Sequence, residues 1–250
     1  MEISEANKLS TAIESYCLKY SVPIEYFLDI LEDQKVIPMI RGKAMEYNAY
    51  LILKSTLSSS SWSVQKLNLN AQPGSGDEDI SITHRRTGII LKIESKSAVR
   101  GSFRDGAKSK VIHTPHFKVK CHRSRSNISL ANSSNDKYRE DDFDVIITNP
   151  LNALYKGNTI SENFELINQG EIRTVLFDFY ACSNEVELVS IISKDWRFVF
   201  PSNIAIDGFI PRTPYVKLFE DVNWHPITEL ETKLLNLVEH KWSLVSARRT

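Results

Sequence analysis

Two carboxylates and an amine are brought together by one short stretch of this sequence. The segments DISITH and GIILKIESK are rich in β-branched residues and flank RRTG, so a tight hairpin centred between Arg86 and Thr87 is expected. Paired positions then add to 173, which sets Asp79 directly opposite Glu94, with Cβ atoms about 4.5 to 5.5 Å apart. Alternation along the strand puts Lys92, Glu94 and Lys96 on one face, and the same register sets Lys96 against Asp77. Like charges facing one another destabilise a sheet unless something positive lies between them. Oxygen ligands from two carboxylates, completed by waters and a substrate phosphate, are what Mg²⁺ prefers. A lysine beside such an ion can orient a water or help deprotonate it, and can offset charge on a phosphate under attack. The chemistry suggested is hydrolysis of a phosphodiester. An isolated ExK tripeptide is more often a charged hairpin face. Here the acid across the strand, the approach PGSGDED and a basic segment starting at the same hairpin favour a site.

The elements that must position these residues are legible as patterns. Leu9, Ile13, Tyr16 and Tyr20 recur at helical spacing before Pro23, and a second short helix is expected from about Pro23 to Leu31. A third follows Pro38, with Ala44, Tyr47, Leu51 and Lys54 on one stripe and Met45, Ala49 and Ile52 on another, as suits a helix packed on a sheet. WSVQKLNLN alternates as a strand broken near Gln65. FKVKCHR, FDVIITN, TVLFDFYAC, VELVSIIS and WRFVF are further strand candidates, and ITELETKLLNLVEHKW closes the chain as a helix. The fold class expected is α/β, a central mixed β-sheet of five or more strands flanked by helices. The polar stretch 127–142 is expected to be a loop.

The 250 residues are 42% hydrophobic and 25% charged, enough apolar material for a real core. We expect one domain over 1–250, with a catalytic core at about 38–150 and recognition and closing elements at 151–250. Three widely separated cysteines, Cys17, Cys121 and Cys182, build neither a disulfide framework nor a CxxC zinc site, which suits a reducing compartment. The sequence opens on acid, and its apolar runs fall far below the roughly 18 residues a membrane span needs. A soluble cytoplasmic protein is expected. The net charge is zero, but its distribution is uneven: His84 to Arg125 holds twelve Lys and Arg against two acids, Glu94 and Asp105. A segment with that excess suits a polyanion, because neutralising phosphates with Lys and Arg supplies most sequence-independent affinity for nucleic acid.

The set D79-(x14)-E94-S-K96, with the strand GIILKI leading into ESK, resembles the PD-(D/E)XK nuclease superfamily, and most of all a type II restriction endonuclease. The match covers about residues 38 to 150. It implies a restriction-endonuclease-like sheet in which Asp79 and Glu94 hold Mg²⁺ and Lys96 is the base or charge stabiliser. RGKAMEYNAY fits the helix that carries a further acid in this family, implying Glu46 as a ligand or water-orienting group. HRSRSN…DKYREDDFDVIITNP fits its later arginine-rich segment, tyrosine and FDV strand. No proline directly precedes the acid, Pro73 lying upstream, so Asp77, Glu78 and Asp79 compete for its place. Cross-strand register favours Asp79, with Asp77 next.

The resemblance further implies double-stranded DNA as substrate, 5′-phosphate ends, and a homodimer whose symmetry mirrors a two-fold symmetric site. Arg85, Arg86, Lys108, Lys110, Lys118, Lys120, Arg123 and Arg125 are the candidate DNA contacts. A structure-specific repair or recombination nuclease, or a DNA-binding module without catalysis, are the alternatives. His113 and His116 have metal-pair spacing with no further ligand to complete a zinc set. Asp142 and Asp144 are expected as strand-start polar groups, and Trp196, Trp224 and Trp242 as packing residues. Asn203, Arg212, Lys217, Asn223 and His225, in a loop-heavy stretch, are side chains able to read base edges.

Overall fold

The computed structural model describes residues 3–67, 78–104, 115–123, 136–157, 164–166 and 170–247. The chain divides into two compact units, residues 1–44 and 45–250. The first holds helices α1 (Ile3–Tyr20) and α2 (Phe27–Glu32), the latter entered through a 3₁₀ turn at Ile24–Tyr26. Tyr16 touches both Tyr20 and Phe27, with ring centroids 4.8 and 6.3 Å apart. Helix α3 (Ile37–Thr56) contributes residues from 45 onward to the second unit.

The second unit is built on a six-stranded mixed sheet, the architecture expected. Its strands are β1 (Trp62–Lys66), β2 (Ile80–His84), β3 (Ile90–Ser95), β5 (Val145–Thr148), β8 (Arg197–Val199) and β10 (His225–Pro226), side by side in that order. Pairing is antiparallel except between β3 and β5. The hairpin has the predicted register: Ile80 faces Ile93 and Thr83 faces Ile90. Its tip closes on Gly88 at φ +69°, a left-handed conformation that glycine adopts without penalty, with the Gly88 amide donating to the His84 carbonyl at 2.8 Å.

Two cores lie against the sheet. Ile80, Ile82, Leu91, Ile93, Val145, Ile147 and Phe198 pack with Ala49 and Leu53 of α3 and with Leu230, Leu234 and Val238 of the last helix, Leu230–Ala247. Ile146 and Val199 alternate to the other core, which also holds Phe117, Tyr138, Phe143, Leu176, Leu188 and Ile192. Within that core, β4 (His116–Lys118) pairs with β9 (Tyr215–Lys217). A short helix, α4 (Leu151–Leu154), follows β5, and β6 (Tyr155–Gly157) pairs with β7 (Phe164–Leu166).

Three expectations need correction. TVLFDFYAC falls, up to Tyr180, in helix α5 (Gly170–Tyr180), and VELVSIIS falls, up to Ile192, in helix α6 (Glu185–Ile192). The β-branched and aromatic residues suggested strands, but Ile172 with Leu176, and Leu188 with Ile192, are buried four apart, the period of a helix face. Helix α6 also starts from a cap visible in sequence: the Asn184 side chain accepts from the Glu187 amide at 2.9 Å, while Glu187 accepts from the Ser183 amide at 2.8 Å. On α3 the sheet-facing stripe is Ala49 and Leu53, whereas Tyr47 and Leu51 are exposed. The last helix, α7 (Leu230–Ala247), is the closing helix expected.

Candidate active site

The site lies where β1 and β3 end and β2 begins. Position 46 precedes the fully buried Ala49 and Leu53 at helical spacing, so Glu46 is carried toward the sheet rather than into solvent. Its carboxylate accepts from the Lys66 ammonium at 2.7 Å, and Lys66 also donates to the Leu67 carbonyl at 3.2 Å. Both side chains are largely enclosed, at 14% and 9% exposure. The Leu67 amide in turn donates to the Asp79 carbonyl at 3.0 Å, tying the end of β1 to the residue that opens β2.

Asp79 continues the hairpin register toward Glu94, and its carboxylate accepts from the Ser95 amide at 3.0 Å. Burial, reinforced by the neighbouring Glu46, pushes the Asp79 carboxyl up to about 6, against the opposing pull of that amide, Lys96 and Lys66. Glu94 is buried, at 3% exposure, and forms an ion pair with Lys96. Lys96 also donates to the Tyr138 hydroxyl at 3.0 Å, with its ammonium 4.5 Å from the ring centroid. Burial works to discharge Lys96, but Glu94 and then Tyr138 outweigh it and hold the group above the ordinary lysine value. Paired in this way, Lys96 favours its charged form. Burial pushes the nearby Cys121 thiol up to about 12, so it is inert as a nucleophile.

The four residues proposed for catalysis, Glu46, Asp79, Glu94 and Lys96, thus meet at one end of the sheet. Lys66 was missed. The signal was available, since it stands where the alternation Trp62, Val64 calls for an apolar residue on the core side, and a buried lysine needs a partner. Tyr138 belongs to the motif that carries the family resemblance, and its contact with Lys96 depends on a chain separation of 42 residues.

The donor set suits a hard divalent ion. Two carboxylates stand at the ends of adjacent strands, and a cation beside them would favour the ionised form of Asp79 that burial, and next Glu46, disfavours. Among the described residues no three His, Cys, Asp or Glu side chains gather as a metal cage. An ion held by Asp79 and Glu94 would therefore complete its shell with water and substrate oxygen, as Mg²⁺ commonly does.

The candidate DNA contacts fall in several places. Arg85 and Arg86 are exposed at the hairpin tip, the end away from Asp79, where the Arg85 guanidinium donates to the Ser59 carbonyl at 2.9 Å. Arg86 lines a cavity of about 330 Å³ together with His84, Glu239 and Trp242. Lys120 is exposed, and its amide donates to the Ser97 carbonyl at 3.0 Å, one residue beyond Lys96. Lys118 is half-buried over the Tyr215 ring at 5.2 Å. Arg123 turns inward: it pairs with Asp142 at 2.7 Å and stacks 5.0 Å from the Tyr138 ring. Asp77, Lys108, Lys110, His113 and Arg125 lie outside the described residues.

The remaining candidates are mostly structural. Asp142 and Asp144 lie just before β5, and Asp144 accepts from the Lys92 amide at 2.8 Å and pairs with Lys241. His116 is buried against Tyr215 at 5.1 Å. Trp196 and Trp224 are core, and Trp242 is 44% exposed. Of the side chains suited to base readout, Arg212 pairs with Asp136 and His225 with Glu229 at 3.6 Å, while Asn203 is exposed. Among the described residues no helix is long and apolar enough to cross a membrane.

No protein-family model matches the chain, and no curated protein matches it. Among solved structures, a bacterial homing endonuclease aligns with 18% identity and a TM-score of 0.25, over 54% of this chain and 72% of its own.

Proposed function

We propose that this protein is a Mg²⁺-dependent endonuclease that cuts double-stranded DNA at a specific sequence, in the manner of a type II restriction enzyme, and that it acts as a homodimer. The observation that carries the reading is the convergence of Asp79, bonded to the Ser95 amide, with the buried Glu94–Lys96 pair at the strand ends. Asp79 and Glu94 would hold the ion, and Glu46 stands beside Asp79 to orient a water. When bound, the ion acidifies a water and shields the phosphate. The Lys96 ammonium, fixed by Glu94 and Tyr138, offsets the charge that grows on the phosphoryl oxygens. Attack of a water oxygen on phosphorus breaks the P–O3′ bond, the 3′-oxygen takes a proton, and a 5′-phosphate remains. Lys120, exposed near the end of β3, is suited to a backbone phosphate.

The test is digestion of a set of plasmids and phage-length DNA with Mg²⁺, followed by end mapping. Discrete fragments with common termini and 5′-phosphates support the reading. Smears or junction-only cutting would replace it with a structure-specific nuclease. Binding without cutting in any divalent metal would reduce the chain to a DNA-binding module.

A further inference from the structure

We infer that the ammonium of Lys66 is a resident cation of this site, occupying its Glu46 side and limiting it to a single divalent ion. The inference rests on the metal-dependent reading above. Glu46 and Lys66 form an ion pair at 2.7 Å, with both side chains at most 14% exposed. The lysine is not a solvated surface group that has turned inward by chance. It ends β1 opposite Ile80, on the side of the sheet that packs against α3, and its ammonium lies 5.5 Å from the Tyr47 ring of that helix. The Leu67 amide, one residue on, is bonded to the Asp79 carbonyl, and both Glu46 and Lys66 act electrostatically on the Asp79 carboxylate.

The site therefore has two halves. On one, Glu94 pairs with Lys96; on the other, Glu46 pairs with Lys66; Asp79 stands between them, bonded to a backbone amide. Three carboxylates and two ammonium groups leave one net negative charge. One divalent ion turns that to one net positive charge, which a bridging phosphate neutralises. A second ion would raise it to three among largely buried side chains, where like charges repel more strongly than in water. Two-metal phosphodiesterases place their ions about 4 Å apart to clamp the attacking and leaving oxygens. Here a protein cation takes one of those places, fixed in sequence instead of drawn from solution.

Counting Mn²⁺ bound per chain by calorimetry and by electron spin resonance, in the absence of DNA, tests this without reference to cleavage. The wild type is expected to bind one ion, Lys66→Arg one, and Lys66→Met a second, weaker ion in the millimolar range. Lys66→Gln serves the same purpose should the Met variant fail to keep the wild-type circular dichroism. Two ions on the wild type, or one on the folded Met or Gln variant, would overturn the role of Lys66 while leaving the metal-dependent reading intact. No ion on the wild type would overturn both.

Discussion

At the tip of the β2–β3 hairpin polar groups are satisfied by neutral partners, a hydroxyl and backbone carbonyls, whereas at its open end the partners are buried charges drawn from other elements. His84 meets the Thr87 hydroxyl at 2.9 Å, Arg85 meets backbone carbonyls, and Gly88 supplies the one left-handed residue that the turn requires. Asp79, Glu94 and Lys96 instead depend on Glu46 of α3, Lys66 of β1 and Tyr138 before β5. The tip is what a stable hairpin needs. The open end is what a stable hairpin avoids, because desolvating charges costs several kcal/mol per ion even when they are paired. Such an arrangement is retained where the charges have work to do on a ligand.

The comparison is broken most severely by removing one partner of the buried pair. Lys96→Met should lower cleavage by about 10³-fold and destabilise the fold by about 3 to 5 kcal/mol, since Glu94 keeps an uncompensated buried charge. The double variant Lys96→Met/Glu94→Met should recover much of that stability and none of the cutting. Denaturant melts beside a plasmid assay separate the two effects, and a double variant as unstable as the single one would show that the pair is not the cause.

A smaller effect is expected in the pH dependence of the metal-free protein. The Asp79 carboxyl titrates near 6 when folded and near 3.8 when unfolded, so the folded state holds its proton more tightly. The resulting stabilisation is complete below about pH 4 and is lost as pH rises through 6, a change of about 3 kcal/mol. Asp79→Asn removes this slope, so in chelator it should be the more stable protein at pH 8 and equal to the wild type at pH 4. Parallel profiles for the two proteins between those limits would refute the assignment. Mg²⁺ should raise the wild type at pH 8 and leave the Asn variant little changed.

The tip gives the smallest response. Gly88→Ala meets no atom within 4 Å, but places a Cβ on a backbone with φ +69°. It should cost about 1 to 2 kcal/mol through that conformation alone and leave the cleavage rate per folded molecule unchanged. A drop in that rate would mean that the two ends of the hairpin are coupled.

What sequence made legible follows the same division. Register, turn and the Asp79, Glu94, Lys96 set are consequences of period-two alternation about one midpoint, and the observed pairing of Ile80 with Ile93 matches it. The sheet's fold class was also legible. Helices α5 and α6 were not, because the strand reading began at Thr174 and Val186, after Ile172 and the Asn184 cap that mark their helical period. The break in alternation at Lys66 was legible but its role was not, because that role is set by Glu46, 20 positions away on another element. Arg123 looked like a phosphate contact for its neighbourhood of positive charge; its own position is set by Asp142 and the Tyr138 ring.

The most direct test is a crystal soaked in Mn²⁺ and measured at an anomalous wavelength. One peak, ligated by the carboxylates of Asp79 and Glu94 and adjoining the Lys96 ammonium, is the expected result. A peak elsewhere, or none with both carboxylates ordered and solvent reaching them, would contradict the central claim.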